Sequence, residues 1–375
     1  MESQNVRYMP AVDHLRLFAA LLVVLVHGFD HFDPKAYPWP HPQHWPALMI
    51  TEGYTGVTLF MVLSGFILTY AAYGKHVSYG PFLRNRALRL LPLLLVVFAI
   101  AATTSPSSIS PQLLWITLLP TQAWGLGSFS VVAWSIFVEI ELYLMFPVLL
   151  RHLNEGGPRR LLGVMGLVMG FRFVALSAST DHFGLLYFSV LSRADQFILG
   201  MLAAWALRRY STRLWVLLAP FGMTLTMLLL ASFNRTGGSH PSGGSALGQQ
   251  WGVLSPTLEG VGWACVVVGY VAVMQGVTGT ITRTVARLGA TSYSIYLLHM
   301  MVIDALRANH VGLNVGATPF QQAMVTTVMI VVPLTLVASR LSYNLIELPF
   351  LRRRVRWVEE PHPVAALPIP LQAVG

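Results

Sequence analysis

The sequence predicts an all-α membrane protein, a polytopic bundle of about ten transmembrane helices with both termini on the cytoplasmic side. Hydrophobic residues make up 55% of the 375 positions and charged residues only 10%, whereas about a quarter of a typical soluble domain is charged. Apolar runs long enough to cross a bilayer recur along the chain. Most of the 24 Lys and Arg residues fall in alternate connections between those runs, and the positive-inside rule places such connections in the cytoplasm.

The predicted spans follow the apolar runs at 12–29, 53–73, 90–104, 133–150, 161–179, 195–208, 214–232, 257–276, 289–306 and 320–340. The apolar segment Leu113–Leu126 contains Pro120. We interpret it as an interfacial or re-entrant piece, because an eleventh span would destroy the charge asymmetry. Residues 1–358 form one membrane domain in this interpretation, and the proline-rich residues 359–375 form a disordered cytoplasmic tail.

Composition also bears on the partners and ligands of the chain. The net charge of +9 could indicate nucleic acid, but the basic residues lie in short clusters between apolar runs, so we expect no nucleic-acid partner. The single cysteine, Cys265, excludes an intrachain disulfide or a cysteine-rich metal site. Three histidines of the first outer loop, at positions 31, 41 and 44, lack metal-ligand spacing, so we expect no metal.

The first span carries two ionisable residues, Arg16 and His27. A charged group that faces lipid is costly, so such residues usually mark a functional site within the bundle. At 1.5 Å per residue, His27 lies about 16 Å farther towards the outer side than Arg16.

Other polar residues within the predicted spans or just before them fall in the outer half of the membrane: Glu139, Arg172, Arg193, Asp195 and His299. A histidine with a carboxylate is suited to general acid–base catalysis near neutral pH. Nearer the cytoplasm, before the third span, Arg84, Arg86 and Arg89 form a basic cluster, and guanidinium groups bind phosphates by paired hydrogen bonds. The two layers together predict a phosphorylated donor on the inner side and a hydroxyl acceptor on the outer side.

These residues belong to motifs that resemble the bacterial integral-membrane acyltransferase family 3, which includes sugar O-acetyltransferases. The resemblance covers nearly the whole chain and is carried by Arg16 with His27, Gly56–Phe66, Arg86–Pro92, Trp134–Glu139 with Tyr143, Arg193–Gly200, Leu288–His299 and Glu347–Pro349. One departure is Leu93, where the family often has a tyrosine. Some members carry a C-terminal SGNH-type hydrolase domain, and we expect this chain to act without one.

The resemblance implies transfer of an acyl group, usually acetyl, from acyl-CoA to a hydroxyl of a glycan or lipid-linked sugar at the bacterial cytoplasmic (inner) membrane. Acetyl-CoA would be a co-substrate, and membrane lipids and polysaccharide-assembly proteins would be partners. His27 would be the catalytic base, with Glu139 as its acidic partner and Arg16 in support. Arg84, Arg86 and Arg89 would bind the CoA phosphates. The acceptor would contact the remaining motif residues, Trp134, Ser135, Tyr143, Arg193, Asp195 and His299.

Several residues also have a purely structural interpretation. Arg16 could be a positive-inside anchor, and Glu139 could pair with Arg172 or Arg193. Arg193 and Asp195 could form a helix-opening pair. His299 could be a packing residue. For the whole protein the alternatives are acylation of a small hydrophobic acceptor such as a macrolide or lipid, a transporter that uses the same buried charges, or a catalytically inactive scaffold for a polysaccharide synthase.

Overall fold

The computed structural model describes residues 8–33, 45–104, 128–178, 188–210, 213–235, 246–316 and 318–359. The predicted re-entrant segment Leu113–Leu126 lies outside these residues, as do residues 360–375 of the predicted tail.

The described chain is almost entirely helical, which confirms the predicted fold class. The helices are α1 (Pro10–Phe32), α2 (Trp45–Thr51), α3 (Thr55–Ala72), α4 (Tyr79–Thr104), α5 (Ser128–Ala178), α6 (Ala194–Arg209), α7 (Leu218–Arg235), α8 (Ala246–Val273), α9 (Thr280–Gly289), α10 (Ser292–Ala308), α11 (Pro319–Thr326), α12 (Val332–Ser342) and α13 (Leu348–Leu351). Short 3₁₀ turns cover Val190–Ser192 and Arg213–Leu217, and π-helical turns cover Thr327–Val331 and Tyr343–Glu347.

Helices cover all ten predicted spans, but they differ in length. Within the described residues, seven helices are long and apolar enough to cross a membrane. One of them, Val132–Ala178, has 47 residues and holds two predicted spans, separated at Gly157 by a left-handed φ of 67°. Helices α6 and α10 have 16 and 17 residues, which is short for a bilayer of about 30 Å. The count of ten and the cytoplasmic termini therefore stay predictions.

Helices α1 and α3 form the centre of the bundle. In their most apolar windows 78% and 83% of residues are buried, whereas the value is 22% for α4 and 17% for α5. Apolar side chains on α4 and α5 are exposed instead, among them Leu95, Leu167 and Phe171. Because such a surface is unfavourable in water, it fits contact with lipid tails.

Glycines allow α3 and α6 to pack with their backbones in contact. A Cβ atom on Gly65 would lie 2.0 Å from the carbonyl oxygen of Phe197, and one on Gly200 would lie 2.0 Å from that of Val62. Small residues at such crossings are characteristic of helices packed within membranes. Gly65 and Gly200 therefore bring the backbones of α3 and α6 into contact.

A short two-stranded sheet joins the end of the described chain to the connection between α3 and α4. Strand β1 (His76–Val77) pairs antiparallel with β2 (Val358–Glu359), with His76 opposite Glu359. The sequence analysis placed Glu359 in the disordered tail. In the structure Glu359 pairs with His76 in this ladder, and the predicted tail otherwise lies outside the described residues.

The α3–α6 crossing makes a testable prediction about glycine. Gly200→Ala should lower the melting temperature in detergent, since the new methyl group would overlap a backbone oxygen that cannot move alone. Gly163→Ala is the matched control, because a Cβ there meets nothing within 4 Å. The control should be unchanged or more stable by about 0.5–1 kcal/mol, the helix preference of alanine over glycine. Equal effects of the two substitutions would contradict the proposed close contact.

Candidate active site

Two histidines from different helices meet inside the bundle. His27 on α1 and His299 on α10 are both buried, and His299 Nε2 lies 3.1 Å from His27 Nδ1. His27 Nδ1 is also 3.0 Å from the carbonyl oxygen of Val23, and His299 Nδ1 is 2.6 Å from that of Tyr296. The sequence analysis assigned His299 to acceptor binding, whereas the structure makes it the direct partner of His27.

The backbone contacts determine the tautomers of this pair. A carbonyl oxygen only accepts, so Nδ1 of each neutral imidazole carries the proton. His299 Nε2 is then an acceptor, and the Nδ1–H of His27 is shared between it and the carbonyl oxygen of Val23. His27 Nε2 keeps its lone pair, and it makes no hydrogen bond to any part of the chain that the structure describes. A lone pair held in place by a second histidine is the arrangement of an oriented general base.

More polar groups surround the outer side of this pair. The ring edge of Tyr54 meets His27 at a centroid distance of 5.3 Å, and the Tyr54 hydroxyl donates to the carboxylate of Asp30. His31 Nδ1 donates to the carbonyl oxygen of His27 over 2.8 Å. Sequence analysis missed Tyr54 and Asp30. The only available signal was that Asp30 and His31 follow His27 on the same helix.

Glu139 is not the partner of His27. Ser64 Oγ donates to Glu139 Oε1 over 2.7 Å, and the hydroxyl of Tyr143 donates to the same oxygen. The expected contact between His27 and Glu139 is therefore absent: Glu139 joins α3 to α5 through Ser64, and its bond to Tyr143 lies within α5. Tyr143 in turn lies under the guanidinium of Arg86, with Cζ 5.5 Å from the ring centroid.

A hydroxyl pair connects the histidines with the Glu139 group. Ser135 Oγ and the hydroxyl of Tyr296 are 2.7 Å apart, and both side chains are buried. Tyr296 precedes His299 by three residues, while Ser135 precedes Glu139 by four, so each lies about one helical turn from the next group. Polar side chains are therefore stacked between the His27 pair and Arg86.

At the predicted cytoplasmic end, arginines face the interior. Arg89 Nη1 lies 3.4 Å from the buried carboxylate of Glu347, and its guanidinium packs over Tyr293 at 5.7 Å. Arg86 and Arg89 are half-buried, whereas Arg84 is exposed on α4. The structure thus brings Arg86 and Arg89 together but leaves Arg84 outside this cluster.

Arg16 belongs to the same inner end rather than to the histidine pair. Its Nη1 forms an ion pair with Asp13 at 3.3 Å, one helical turn away on α1. A catalytic role of Arg16 stays a prediction, but it would not act by direct contact with His27, since eleven residues of helix separate the two side chains by about 16 Å.

A separate polar cluster lies among α3, α6 and α8. Arg193 Nη1 donates to Thr58 Oγ1 over 3.1 Å, and its guanidinium packs over Trp134 at 5.4 Å. The hydroxyl of Thr55 donates to the carboxylate of Glu259. Sequence analysis had named Arg193 and Trp134 as acceptor contacts but had not found Glu259.

Asp195 has a structural role. It forms an ion pair of 2.8 Å with Arg172, and neither side chain is exposed. Arg172 also donates to the carbonyl oxygens of Leu191 and Val253, and Thr257 donates to Asp195. All these groups hold one another within the fold, and a contact of Asp195 with the acceptor stays a prediction. Glu139 is likewise not the partner of Arg172 or Arg193.

With this geometry established, comparison with known proteins identifies the family. Residues 9–342 match the acyltransferase domain model of family 3. The chain belongs to this acyltransferase family. No solved structure is significantly similar to it. Within the described residues, no group of three or more histidine, cysteine or acidic side chains could hold a metal ion.

Relatives of this acyltransferase include the acyltransferase MdmB of Streptomyces mycarofaciens, which is 27% identical over 96% of this chain and 95% of MdmB. The O-acetyltransferase OatA of Staphylococcus aureus is 22% identical over 92% of this chain, which spans 58% of the length of OatA. The apolar helices and the family together indicate a multi-pass membrane O-acyltransferase. This class replaces the transporter and scaffold alternatives.

The buried ion pair of Arg172 with Asp195 should contribute far more to stability than the exposed ion pair of Arg151 with Glu155. Asp195→Asn should destabilise the protein by about 3–5 kcal/mol, because it leaves the buried Arg172 without its counter-charge. The control Glu155→Gln removes the exposed partner of Arg151 and should leave stability nearly unchanged, because solvent screens an exposed ion pair. Thermal unfolding in one detergent measures both. A mild effect of Asp195→Asn would show that the Arg172 site admits water.

Proposed function

We propose that this O-acyltransferase moves an acyl group, acetyl in the first instance, from acyl-CoA to a hydroxyl of an extracytoplasmic or lipid-linked glycan such as exopolysaccharide or O-antigen. One observation carries the proposal: His27 Nδ1 contacts both the carbonyl oxygen of Val23 and His299 Nε2, which leaves Nε2 free to act as a base, at one end of a stack of polar groups that begins at the half-buried Arg86 and Arg89. The site of action we propose is the cytoplasmic membrane of a bacterium.

The inner arginines support acyl-CoA as the donor. Arg86 and Arg89 face inward near the predicted cytoplasmic end of α4, and bidentate guanidinium groups suit the phosphates of CoA. The height of α1 between Arg16 and His27 is about 16 Å, so the flexible pantetheine arm would carry the thioester from the arginines up to the histidine pair. Ser135 and Tyr296 lie on that path, where Ser135 donates to the carbonyl oxygen of Val132 and the Tyr296 hydroxyl is paired with Ser135.

The reaction we propose needs one base that later acts as an acid. His27 Nε2 takes the proton of the acceptor hydroxyl, and the oxygen attacks the thioester carbonyl to form a tetrahedral intermediate. The C–S bond then breaks, the acyl ester remains on the acceptor, and the CoA thiolate takes the proton from His27. During the reaction the imidazolium of His27 would be stabilised by the carbonyl oxygen of Val23 and by His299 Nε2.

The acceptor side is supported by the polar cluster of Trp134, Arg193, Thr58 and Glu259. An aromatic ring next to hydrogen-bonding groups suits a polyhydroxylated ligand. The name of OatA, an O-acetyltransferase, favours a hydroxyl acceptor. A small hydrophobic acceptor is the alternative, which product analysis tests directly, and polysaccharide-assembly proteins are the partners that a glycan acceptor would require.

The test is acyl transfer from radiolabelled acetyl-CoA in membranes, with the products separated into glycan, lipid and small-molecule fractions. Wild type should label a glycan or lipid-linked sugar, and His27→Ala should lose activity by about 10²–10⁴-fold, the usual contribution of a general base. The matched control is His152→Ala, because His152 is exposed on α5 and its Nδ1 also contacts a carbonyl oxygen four residues earlier. Label that survives His27→Ala would exclude His27 as the base, and label confined to small apolar products would favour the alternative acceptor.

The role of His299 can be separated from that of His27. His299→Phe should lower kcat by about tenfold or more at nearly unchanged KM for acetyl-CoA, because His27 loses the acceptor that orients its Nδ1–H but keeps its Nε2. The pH dependence of kcat should shift as well, since the imidazolium would lose one of its two hydrogen-bond partners. An unchanged kcat and pH profile would mean that His299 only fills space.

A further inference from the structure

The last described residues form a strap across the inner half of α4. This C-terminal strap, residues 352–359, is held by the β1–β2 ladder and by Ser78 N–H, which donates to the carbonyl oxygen of Trp357 over 3.0 Å. Asn85 on α4 bonds both backbone groups of Val355, at 2.6 and 3.0 Å. Trp357 is buried against Phe82, with ring centroids 5.0 Å apart. The strap is therefore fixed next to the inner arginines.

The strap carries Arg354 into that arginine cluster. Burial, together with repulsion by Arg89, Arg86 and Arg16, lowers the pKa of the Arg354 guanidinium. Two carboxylates of the cluster already form ion pairs, Glu347 with Arg89 and Asp13 with Arg16. Neither Arg86 nor Arg354 forms an ion pair with any residue that the structure describes, and the Nε–H of each is buried without a hydrogen-bond partner there.

Such a cluster is costly without an anion. A buried donor without a partner loses its hydration and gains nothing in return, and neighbouring guanidinium groups repel one another. An anion with several oxygens between Arg86 and Arg354 would relieve both costs, since guanidinium groups bind phosphate by paired hydrogen bonds. The positive-inside rule predicts that this end faces the cytoplasm, where acyl-CoA is available.

We propose that Arg354, supplied by the C-terminal strap, is a phosphate ligand of acyl-CoA that acts together with Arg86. This inference rests on the proposed function and extends it, because Arg354 lies beyond residues 9–342, the part that matches the family. The C-terminal strap, which follows the last long helix, would therefore contribute to the preference of the enzyme for a phosphorylated acyl donor.

The test compares donors with and without phosphates. Arg354→Gln should raise KM for acetyl-CoA by about tenfold or more, as expected for lost hydrogen bonds to a charged group, with kcat nearly unchanged. Its KM for S-acetylpantetheine, which has no phosphate, should equal that of wild type. Arg353→Gln is the matched control, because Arg353 is the exposed neighbour on the same strap and packs over Phe350. The control should leave both KM values unchanged.

Binding of CoA alone gives a readout that does not depend on transfer. CoA near its wild-type dissociation constant should raise the melting temperature of wild type and of Arg353→Gln, and should raise that of Arg354→Gln clearly less, since the stabilisation by a ligand grows with the ratio of its concentration to its dissociation constant. Without ligand, Arg354→Gln should melt at or above the wild-type temperature, because it removes a half-buried charge that forms no ion pair with the described residues and is repelled by Arg89, Arg86 and Arg16. If Arg354 only held the strap in place, Arg354→Gln would instead lower the melting temperature.

Several results would overturn the assignment. It fails if Arg354→Gln raises KM equally for both donors, raises neither, or leaves the CoA-induced thermal shift intact. It also fails if two results occur together. Arg354→Gln without ligand melts below wild type, and Arg354→Lys, which keeps the charge, does not recover the affinity for CoA. Absence of any transfer by wild type would refute the proposed function instead, and the CoA-binding comparison would still decide the role of Arg354.

Discussion

The cost of placing a charge inside an apolar bundle organises this structure. Arg172 and Asp195 meet that cost by complete mutual pairing, with neither side chain exposed. Glu139 accepts hydrogen bonds from Ser64 and Tyr143. The two histidines meet it differently, because both can be neutral and still be joined by a hydrogen bond. Each solution fixes two or three helices relative to one another, so the polar groups also hold the bundle together.

A pair of neutral histidines has an advantage over a histidine–carboxylate pair in this setting. A carboxylate next to His27 would add a permanent buried charge, whereas His299 orients the ring through a neutral acceptor. The positive charge would then arise only while His27 holds the proton of the acceptor. Helix α10 supplies this partner and also Tyr296 and Ser294, which contact Ser135 and Glu347. The outer and inner polar layers are thus connected by one helix.

The sequence predicted the class of fold and the depth of polar residues in the membrane, but it did not predict which side chains of different helices are in contact. Composition and charge asymmetry predicted the membrane bundle, and the improbability of Arg16 and His27 in an apolar run identified them. Rise per residue placed Glu139 in the membrane, but one helix does not reveal which side chain of another helix it meets. For that reason Glu139 was paired with His27 instead of Ser64. The sequence did not identify Arg354 as a binding residue, because the positive-inside rule already explains a basic residue after a span.

The arginines that face the interior differ in whether the fold satisfies their hydrogen-bond donors, and this difference distinguishes the structural Arg172 from Arg86 and Arg354, which we assign to ligand binding. Arg172 donates to a carboxylate and to two carbonyl oxygens, so its hydrogen-bonding capacity is used by the fold. Arg86 and Arg354 each keep a buried N–H without a partner in the described chain. Folding alone gains nothing from a buried N–H without a partner on each of two guanidinium groups that repel each other, since both features lower stability. A bound anion would supply the missing interactions. A binding site can therefore lower the stability of the ligand-free protein and still be retained because it binds its ligand.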